Sequence, residues 1–453
     1  MTDLLIQGAD AVMTGRAGDA ARAGAVDIRV RDGLITEMAA GLTPAAGEEV
    51  LDARGCVIYP GWVNTHHHLF QSVLKAVPEG INEPLFGWLG AVPYPRLTRI
   101  RDRHLEVAAE VGLAELLLSG TTTCADHHYI YYGGLDSEMG DVLFEVAGRL
   151  GLRFTLCRGG ATEQGRHPGY PNDLESETLD AYVADVERLA ARYHQSGPRA
   201  MRQVVMAPTT PTFSVDPSTL RELARAGRAL GLRLHSHLSE TFNYVEYCRD
   251  VHNMTPVEFC GENEWLGEDV WFAHMVHVAD SELPILAETG TGIAHCPQSN
   301  CRLGSGIARV PEMAARGIPI SLAVDGAASN EAADMIQEAH TTWMIHRALG
   351  GADAVTVEDV VHWGTSGGAR VLGLDQVGEL APGRAADLAL YDLDQPRYFG
   401  MHDPAIAPVA GGGSASVRHL LVDGEVRVRD GAIPGLELAA LRERAAEVVA
   451  ELN

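Results

Sequence analysis

The chain has 453 residues, a formal net charge of −26, and 46% hydrophobic and 21% charged residues. That length calls for one large domain with something smaller beside it, and the composition is that of an ordinary soluble globular protein. The acidity argues against a nucleic-acid partner, which needs clustered Lys and Arg, and no apolar run reaches the roughly 18 residues of a membrane span.

The N-terminus, MTDLLIQGADAVM, carries an early acid and no basic leader, so a secretory signal is not expected and the location is read as cytoplasmic. Residues 1–58 read as β-rich. Short apolar runs at Leu4–Val12, Val26–Asp32 and Leu34–Met38 are broken by Gly and Asp, and the Asp-Gly of VRDGLI is a hairpin signal. The same texture returns after about residue 375, in VGELAPGRAADLALYDLD and VRHLLVDGEVRVRDG. The two ends are expected to form one small β-sandwich. Residues 1–58 supply one half, and 376–453 supply the other with a terminal helix.

Residues 59–375 alternate differently. Apolar runs at Val57–His68, Thr121–His127, Arg153–Gly159, Gln203–Pro208, Arg233–Leu238, Val270–Val276, Gly292–Pro297 and Ile318–Asp325 are separated by amphipathic stretches such as LDAYVADVERLAARYH and PSTLRELARAGRALG. Apolar residues in these stretches recur at three- and four-residue spacing, which specifies helix. Gly120, Gly231 and Gly317 stand where helices should end. Eight strand–helix alternations define an α/β protein with a (β/α)8 TIM-like barrel as the catalytic domain. Seven scattered cysteines without a CxxC are read as free thiols rather than disulfides or a thiolate metal site.

Catalytic groups of such barrels gather at the C-terminal ends of the strands. The runs end on His66 and His68, Asp126, Arg158, His237, His274, His295 and Asp325. The stretch VNTHHHLFQ deserves the closest reading. Residues i and i+2 of a strand share a face, so His66 and His68 point together into the barrel mouth and His67 points away. Two imidazoles so placed chelate one divalent ion, which needs at least one more ligand. RLHSHLSE offers His235, His237 and Glu240, and LAVDGAASN offers Asp325. Three imidazoles and a carboxylate suit Zn²⁺, with Fe²⁺ as the alternative.

These motifs together resemble the amidohydrolase superfamily, within it the branch of chlorohydrolases and purine or pterin deaminases. The likeness rests on the HxH of the first run, HLSE on the fifth, AH on the sixth, HCPQSNCRLGSG on the seventh and DGAASN on the eighth, and it extends to PGRAADLALYD in the C-terminal part. The resemblance implies that His66, His68, His237 and Asp325 are metal ligands. It further implies that Glu240 shuttles protons and that His274 contacts the hydrolytic water or the developing oxyanion, with Asp325 accepting the water's proton. Binuclear members bridge their metals with a carbamylated lysine on a middle strand. The only lysine of this chain is Lys75, just past the first strand, so one metal ion is implied.

The expected reaction is hydrolytic deamination of a small heterocycle. The segments LFQSVLKAVPEGINEPLFGWL, TCADHHYIYYGG and CRGGATEQ resemble the loops of isoxanthopterin deaminases and of the neighbouring 8-oxoguanine deaminases, the pterin group more so. An s-triazine is a further alternative, and a non-catalytic binding protein a remote one. Gln71 is expected to meet a lactam edge, Arg158 to donate to ring carbonyls, and Tyr132 and Trp88 to form an aromatic wall with Tyr129 and Tyr131. Thr209 and Thr210 are weaker candidates of the same kind. His235 is read as orienting a ligand, His127 and His128 as loop residues. A homo-oligomer is compatible with this reading.

Overall fold

A computed structural model describes residues 3–135, 138–163 and 174–453. Its centre is one all-parallel sheet of eight strands in sequential order. They are β1 (Trp62–Asn64), β2 (Thr121–His128), β3 (Arg153–Arg158), β4 (Arg202–Met206), β5 (Leu234–Leu238), β6 (Val270–His274), β7 (Gly292–His295) and β8 (Ile320–Leu322). The sheet closes just beyond its first and last strands. Thr65 N donates to Leu322 O at 3.4 Å and Asp325 N to His66 O at 3.1 Å. The seam of the barrel therefore puts the first-strand histidines beside the last-strand aspartate.

Helices cover the outside of the barrel, as the apolar spacing requires. The helix Leu179–Tyr193 buries Tyr182, Val186, Leu189 and Tyr193, a single face at three- and four-residue steps. Full burial of each such side chain stabilises by roughly 1.5–3 kcal/mol. Thr178 caps this helix by accepting from Ala181 N, and Asp216 caps Pro217–Ala229 by accepting from Ser218 N and Thr219 N. A second, smaller cluster of Val63, Ala125, Cys157, Val205, Ala294 and Ala323 surrounds Trp271. Small side chains on the strands leave room there for one indole.

The smaller domain has two sheets. One, of four strands, comes from the N-terminal part in the order Leu34–Ala39, Asp27–Arg31, Leu4–Gln7, Glu49–Asp52. The other, of six, interleaves the termini in the order Glu425–Arg429, Val417–Val422, Leu388–Asp392, Cys56–Pro60, Ala11–Met13, Arg22–Gly24. The Asp-Gly turns form as expected. Asp32 and Gly33 have φ of 49° and 78°, Asp423 and Gly424 of 49° and 79°, the double positive φ of a tight hairpin.

Two details differ from the sequence reading. The run Val57–His68 is two strands: Cys56–Pro60 pairs with Leu388–Asp392 in the small domain, and only Trp62–Asn64 belongs to the barrel. Gly61 makes the crossing because a Cβ there would lie 2.2 Å from Thr122 Cγ2. The terminal helix Leu438–Leu452 leaves the sheets and packs on the barrel helix Asp102–Leu118, with Arg444 on Glu110 at 2.6 Å. All seven cysteines are free, and only Cys301 is exposed. No helix among the described residues is long and apolar enough to cross a membrane.

Candidate metal centre

His66, His68, His237 and Asp325 converge, with one ligand atom from each lying within 4.8 Å of all the others. All four side chains are buried. Hydrogen bonds decide which ring nitrogen of each histidine is free. His68 Nδ1 donates to His127 O at 2.7 Å and His237 Nδ1 to Thr209 O at 2.6 Å. His66 Nδ1 donates to His235 Nε2 at 2.8 Å, and His235 Nδ1 in turn to Trp271 O at 2.9 Å. Every Nδ1 proton is thus committed to an acceptor, which leaves the three Nε2 lone pairs facing inward.

Those lone pairs crowd one another. His68 Nε2 lies 3.1 Å from His237 Nε2, and Asp325 Oδ1 lies 3.3 Å from His66 Nε2 and 3.2 Å from His68 Nε2. Four acceptors at such spacing repel unless a cation sits among them. Tetrahedral ligands at ~2.0–2.1 Å from one ion are roughly 3.3 Å apart, so the donor set fits a single ion of that size. Burial pushes His66 down to about 3 and His237 well below the usual imidazole range, which keeps both lone pairs available. His68 moves the other way, because Asp325 outweighs the effect of burial. His66, His127 and His235 form a second cluster of ligating atoms. His66 and His235 are already joined by a hydrogen bond, so this is the chain that orients His66 rather than a second ion site. His67 faces away, its Nε2 3.4 Å from where a Cβ on Gly112 would be.

Beside this centre is a cavity whose wall includes His68, Gln71, Trp88, Tyr129, Glu240 and His274. Glu240 is buried, and burial raises its carboxyl above the usual range. Its Oε2 lies 3.6 Å from His274 Nε2. His274 Nδ1 donates to Asn300 Oδ1 at 2.9 Å, so a donor role for Nε2 requires the imidazolium. Plain alternation would put His274 on the face of Phe272, which packs in the outer cluster with the helices. The backbone at His274 has φ of 75° instead, and the ring stacks on His237 with centroids 5.5 Å apart. Ser239 and Asp325 also have positive φ, 51° and 60°. These three positive φ values turn His274, Ser239 and Asp325 at the mouth of the barrel.

The sequence reading of the cavity wall needs corrections. Arg158 does not line it. The guanidinium is 2% exposed, bonded to Glu177 at 2.6 and 2.8 Å and to Asp185 at 3.0 Å, and lies over the ring of Tyr131. A buried cation needs paired anions, and those two carboxylates take its N–H groups away from any substrate. Tyr132 packs against the outer core, and of Tyr129, Tyr131 and Tyr132 it is Tyr129 that lines the cavity. Asp126 turns outward and accepts from Leu69 N at 2.6 Å, with burial raising its carboxyl to about 7. Strand β2 runs to His128, so His127 and His128 are buried strand residues, not loop ones. His295 pairs with His346 at 3.3 Å, outside the cavity wall.

Gln71, Trp88, Thr209 and Thr210 do line the cavity. Leu85, Leu89, Ser214, Tyr244 and Leu303 join them without having been foreseen. Leu85, Trp88 and Leu89 share the helix Leu85–Ala91, and their i, i+3, i+4 spacing was a readable signal. Gln71 enters beside Asp325 because residue 326 is glycine: a Cβ there would lie 1.8 Å from Gln71 Oε1. The last residue of CRGGATEQ, Gln164, lies outside the described residues.

A parallel barrel that carries three imidazoles and a carboxylate at its strand ends has the donor set of a metal site. The model of the amidohydrolase family matches residues 57–427, and the chain belongs to that family. It is 53% identical to an isoxanthopterin deaminase from an unknown prokaryotic organism, over 99% of this chain and 97% of that protein. It is 43% identical to the 8-oxoguanine deaminase of Pseudomonas aeruginosa, over 92% and 93%. Among solved structures it superposes on the atrazine chlorohydrolase of Arthrobacter aurescens complexed with zinc. The TM-score is 0.92 at 27% identity, over 98% of this chain and all (100%) of the other.

Proposed function

We propose that the protein is a mononuclear zinc-dependent deaminase of an oxidised pterin, isoxanthopterin, with the oxidised purine 8-oxoguanine as the alternative substrate. The observation that carries the hydrolytic part is the donor set of His66, His68, His237 and Asp325 beside a buried Glu240. A bound divalent cation of the zinc kind lowers the pKa of its water to near 7, which supplies the nucleophile at neutral pH.

The chain's own groups then move the protons. As oxygen attacks the amino-bearing carbon, Asp325 takes one proton from the water and Glu240 delivers one to the adjacent ring nitrogen. Its raised pKa suits Glu240 to that task. His274, held by Asn300, would stabilise the charge that develops on that oxygen through Nε2. Asp325 passes its proton to the amine, the C–N bond breaks and ammonia leaves. The remaining hydroxyl proton returns to Glu240, which resets the site.

The substrate class rests on the named relatives and on three features of the wall. No Lys or Arg stands among the described residues that line the cavity, which fits a neutral heterocycle better than an anion. Gln71 Nε2 donates to Tyr129 Oη at 3.1 Å, and Gln71 Oε1 is buried without a partner. The tyrosine keeps its own proton to donate. An acceptor beside a donor is what the N–H and C=O of a lactam edge require. Trp88, fixed by its bond to Ala328 O at 3.0 Å, offers a flat apolar face to a fused ring.

The test is ammonia release by the zinc-loaded protein on isoxanthopterin and 8-oxoguanine at equal concentration. Faster turnover of isoxanthopterin is expected. A preference for 8-oxoguanine overturns the substrate assignment and leaves the chemistry, and no release from either overturns the pterin and purine reading as a whole.

A further inference from the structure

We infer that the turn Ser299–Ser305, which follows β7, is the positioning unit of the site. Each of three of its residues holds a different proton-handling group. The inference rests on the metal centre proposed above, and not on the identity of the substrate.

Three contacts carry it. Ser299 Oγ donates to Asp325 Oδ2 at 2.5 Å. Asn300 Oδ1 accepts from His274 Nδ1 at 2.9 Å. Ser305 Oγ donates to Glu240 Oε1 at 3.4 Å. All three residues are buried, and none of them lines the cavity. They act through the groups they hold.

The chain is shaped for this. Pro297 starts a six-residue helix, Pro297–Arg302, where its missing N–H costs nothing. Gly304, at φ of 67°, turns the chain back, and Ser305 N closes the turn on Asn300 O at 2.9 Å. His277 Nε2 donates to Ser305 O at 2.9 Å and pins the far end. Ser299 thereby reaches Asp325, three residues past β8, Asn300 reaches His274 at the end of β6, and Ser305 reaches Glu240, two residues past β5.

Each contact fixes a choice that the group could otherwise make differently. A carboxylate can offer a metal one oxygen or two. Ser299 donates to Oδ2, and Ser329 Oγ donates to the same oxygen at the longer distance of 3.2 Å, which leaves Oδ1 facing His66 and His68. A histidine can carry its proton on either nitrogen. Asn300 takes the Nδ1 proton and turns Nε2 toward Glu240. Ser305 engages Oε1 of Glu240, so Oε2 is the oxygen left beside His274. Asn300 Nδ2 is meanwhile buried without a partner. That is a cost to folding, which a residue kept only for stability would not carry.

The test uses the full-length protein and needs no substrate for its first arm. Zn²⁺ affinity is measured by competition with a chromophoric chelator for the parent, Ser299→Ala and Asn300→Leu. Loss of a group that orients a ligand typically lowers metal affinity 10–100-fold, so Ser299→Ala is expected to fall by about that factor and Asn300→Leu to match the parent. Asn300→Leu is expected instead to lower kcat by a similar factor, about 10–100-fold, at unchanged KM. If Ser299→Ala does not fold, Ser299→Cys, which keeps the shape and offers only a weak donor, carries the same test. Parent-like affinity in the Ser299 variants overturns the inference. So does an equal loss of zinc in Asn300→Leu, which would mean general packing damage. A parent that binds no Zn²⁺ overturns the metal centre itself, and that result is distinct from the other two.

Discussion

Glu240→Gln separates proton transfer from everything else that Glu240 does. Glutamine has the same shape and can still accept from Ser305 Oγ, now 3.4 Å away, but it cannot carry a proton between a water and a ring nitrogen. Positioned general acid–base catalysis contributes about 10²–10⁴ in rate, equivalent to about 2.7–5.5 kcal/mol of barrier. The expected result is a loss of kcat of that size with metal content unchanged. Stability supplies an independent check. Burial raises the Glu240 carboxyl above its ordinary value. A carboxyl raised in the folded state favours folding below its unfolded pKa, and that contribution is lost as pH rises through the folded pKa. Glutamine carries no charge at any pH, so the variant does not share that loss. The variant should melt no lower than the parent at neutral pH, and its advantage should shrink as pH falls into the ordinary glutamate range near ~4.3. Turnover equal to the parent's would refute the proton role. A lower melting temperature at neutral pH would refute the reading of Glu240 as a buried, strained acid.

The other predictions address separate parts of the site. Asp325→Asn removes the one anionic ligand, so zinc content after dialysis, read by atomic absorption, should fall together with the rate. Gln71→Leu deletes one half of the lactam pair. KM should rise by roughly 5–150-fold, the equivalent of about 1–3 kcal/mol for a lost buried hydrogen bond, with metal content unchanged. Arg158→Met leaves the half-buried Glu177 without its cation, while Asp185 keeps Arg188. It should cost about 3–5 kcal/mol in denaturant titration while leaving the KM of the folded fraction alone, whereas a selective rise in KM would restore Arg158 to the substrate site.

The barrel and the cluster of His66, His68, His237 and Asp325 were legible because their signals are local. A strand ends where its apolar run ends, and a His-x-His at that end has few other uses in a buried position. The cavity wall was not legible in the same way. Its residues lie on loops, where direction is set by contacts between elements and not by a two-residue period. Asp126 shows how fine the margin is. The run was read as ending near residue 127, but β2 continues to His128, and the inward face of the strand is carried by His127 while Asp126 looks out to Leu69. His274 shows the converse. Alternation points it outward, and only a positive φ, invisible in the sequence, turns it in.

Arg158 makes the physical reason plainest. From the sequence it was a cation at a strand end, the place for a substrate contact. A guanidinium in a dry cavity without a fixed anion would be a desolvated charge, and that state costs far more than one hydrogen bond to a neutral ring returns. The fold resolves this by bringing Glu177 and Asp185, well separated in the sequence from Arg158, onto the same guanidinium. The cavity is then left with uncharged donors and acceptors on one side and the metal-binding cluster on the other. Such a division suits a substrate that arrives neutral and becomes charged only at the carbon being attacked. Substrate affinity should accordingly be nearly independent of ionic strength, because no Lys or Arg stands among the described residues of the wall. A KM that climbed steeply with salt would mean that an anion is the true ligand.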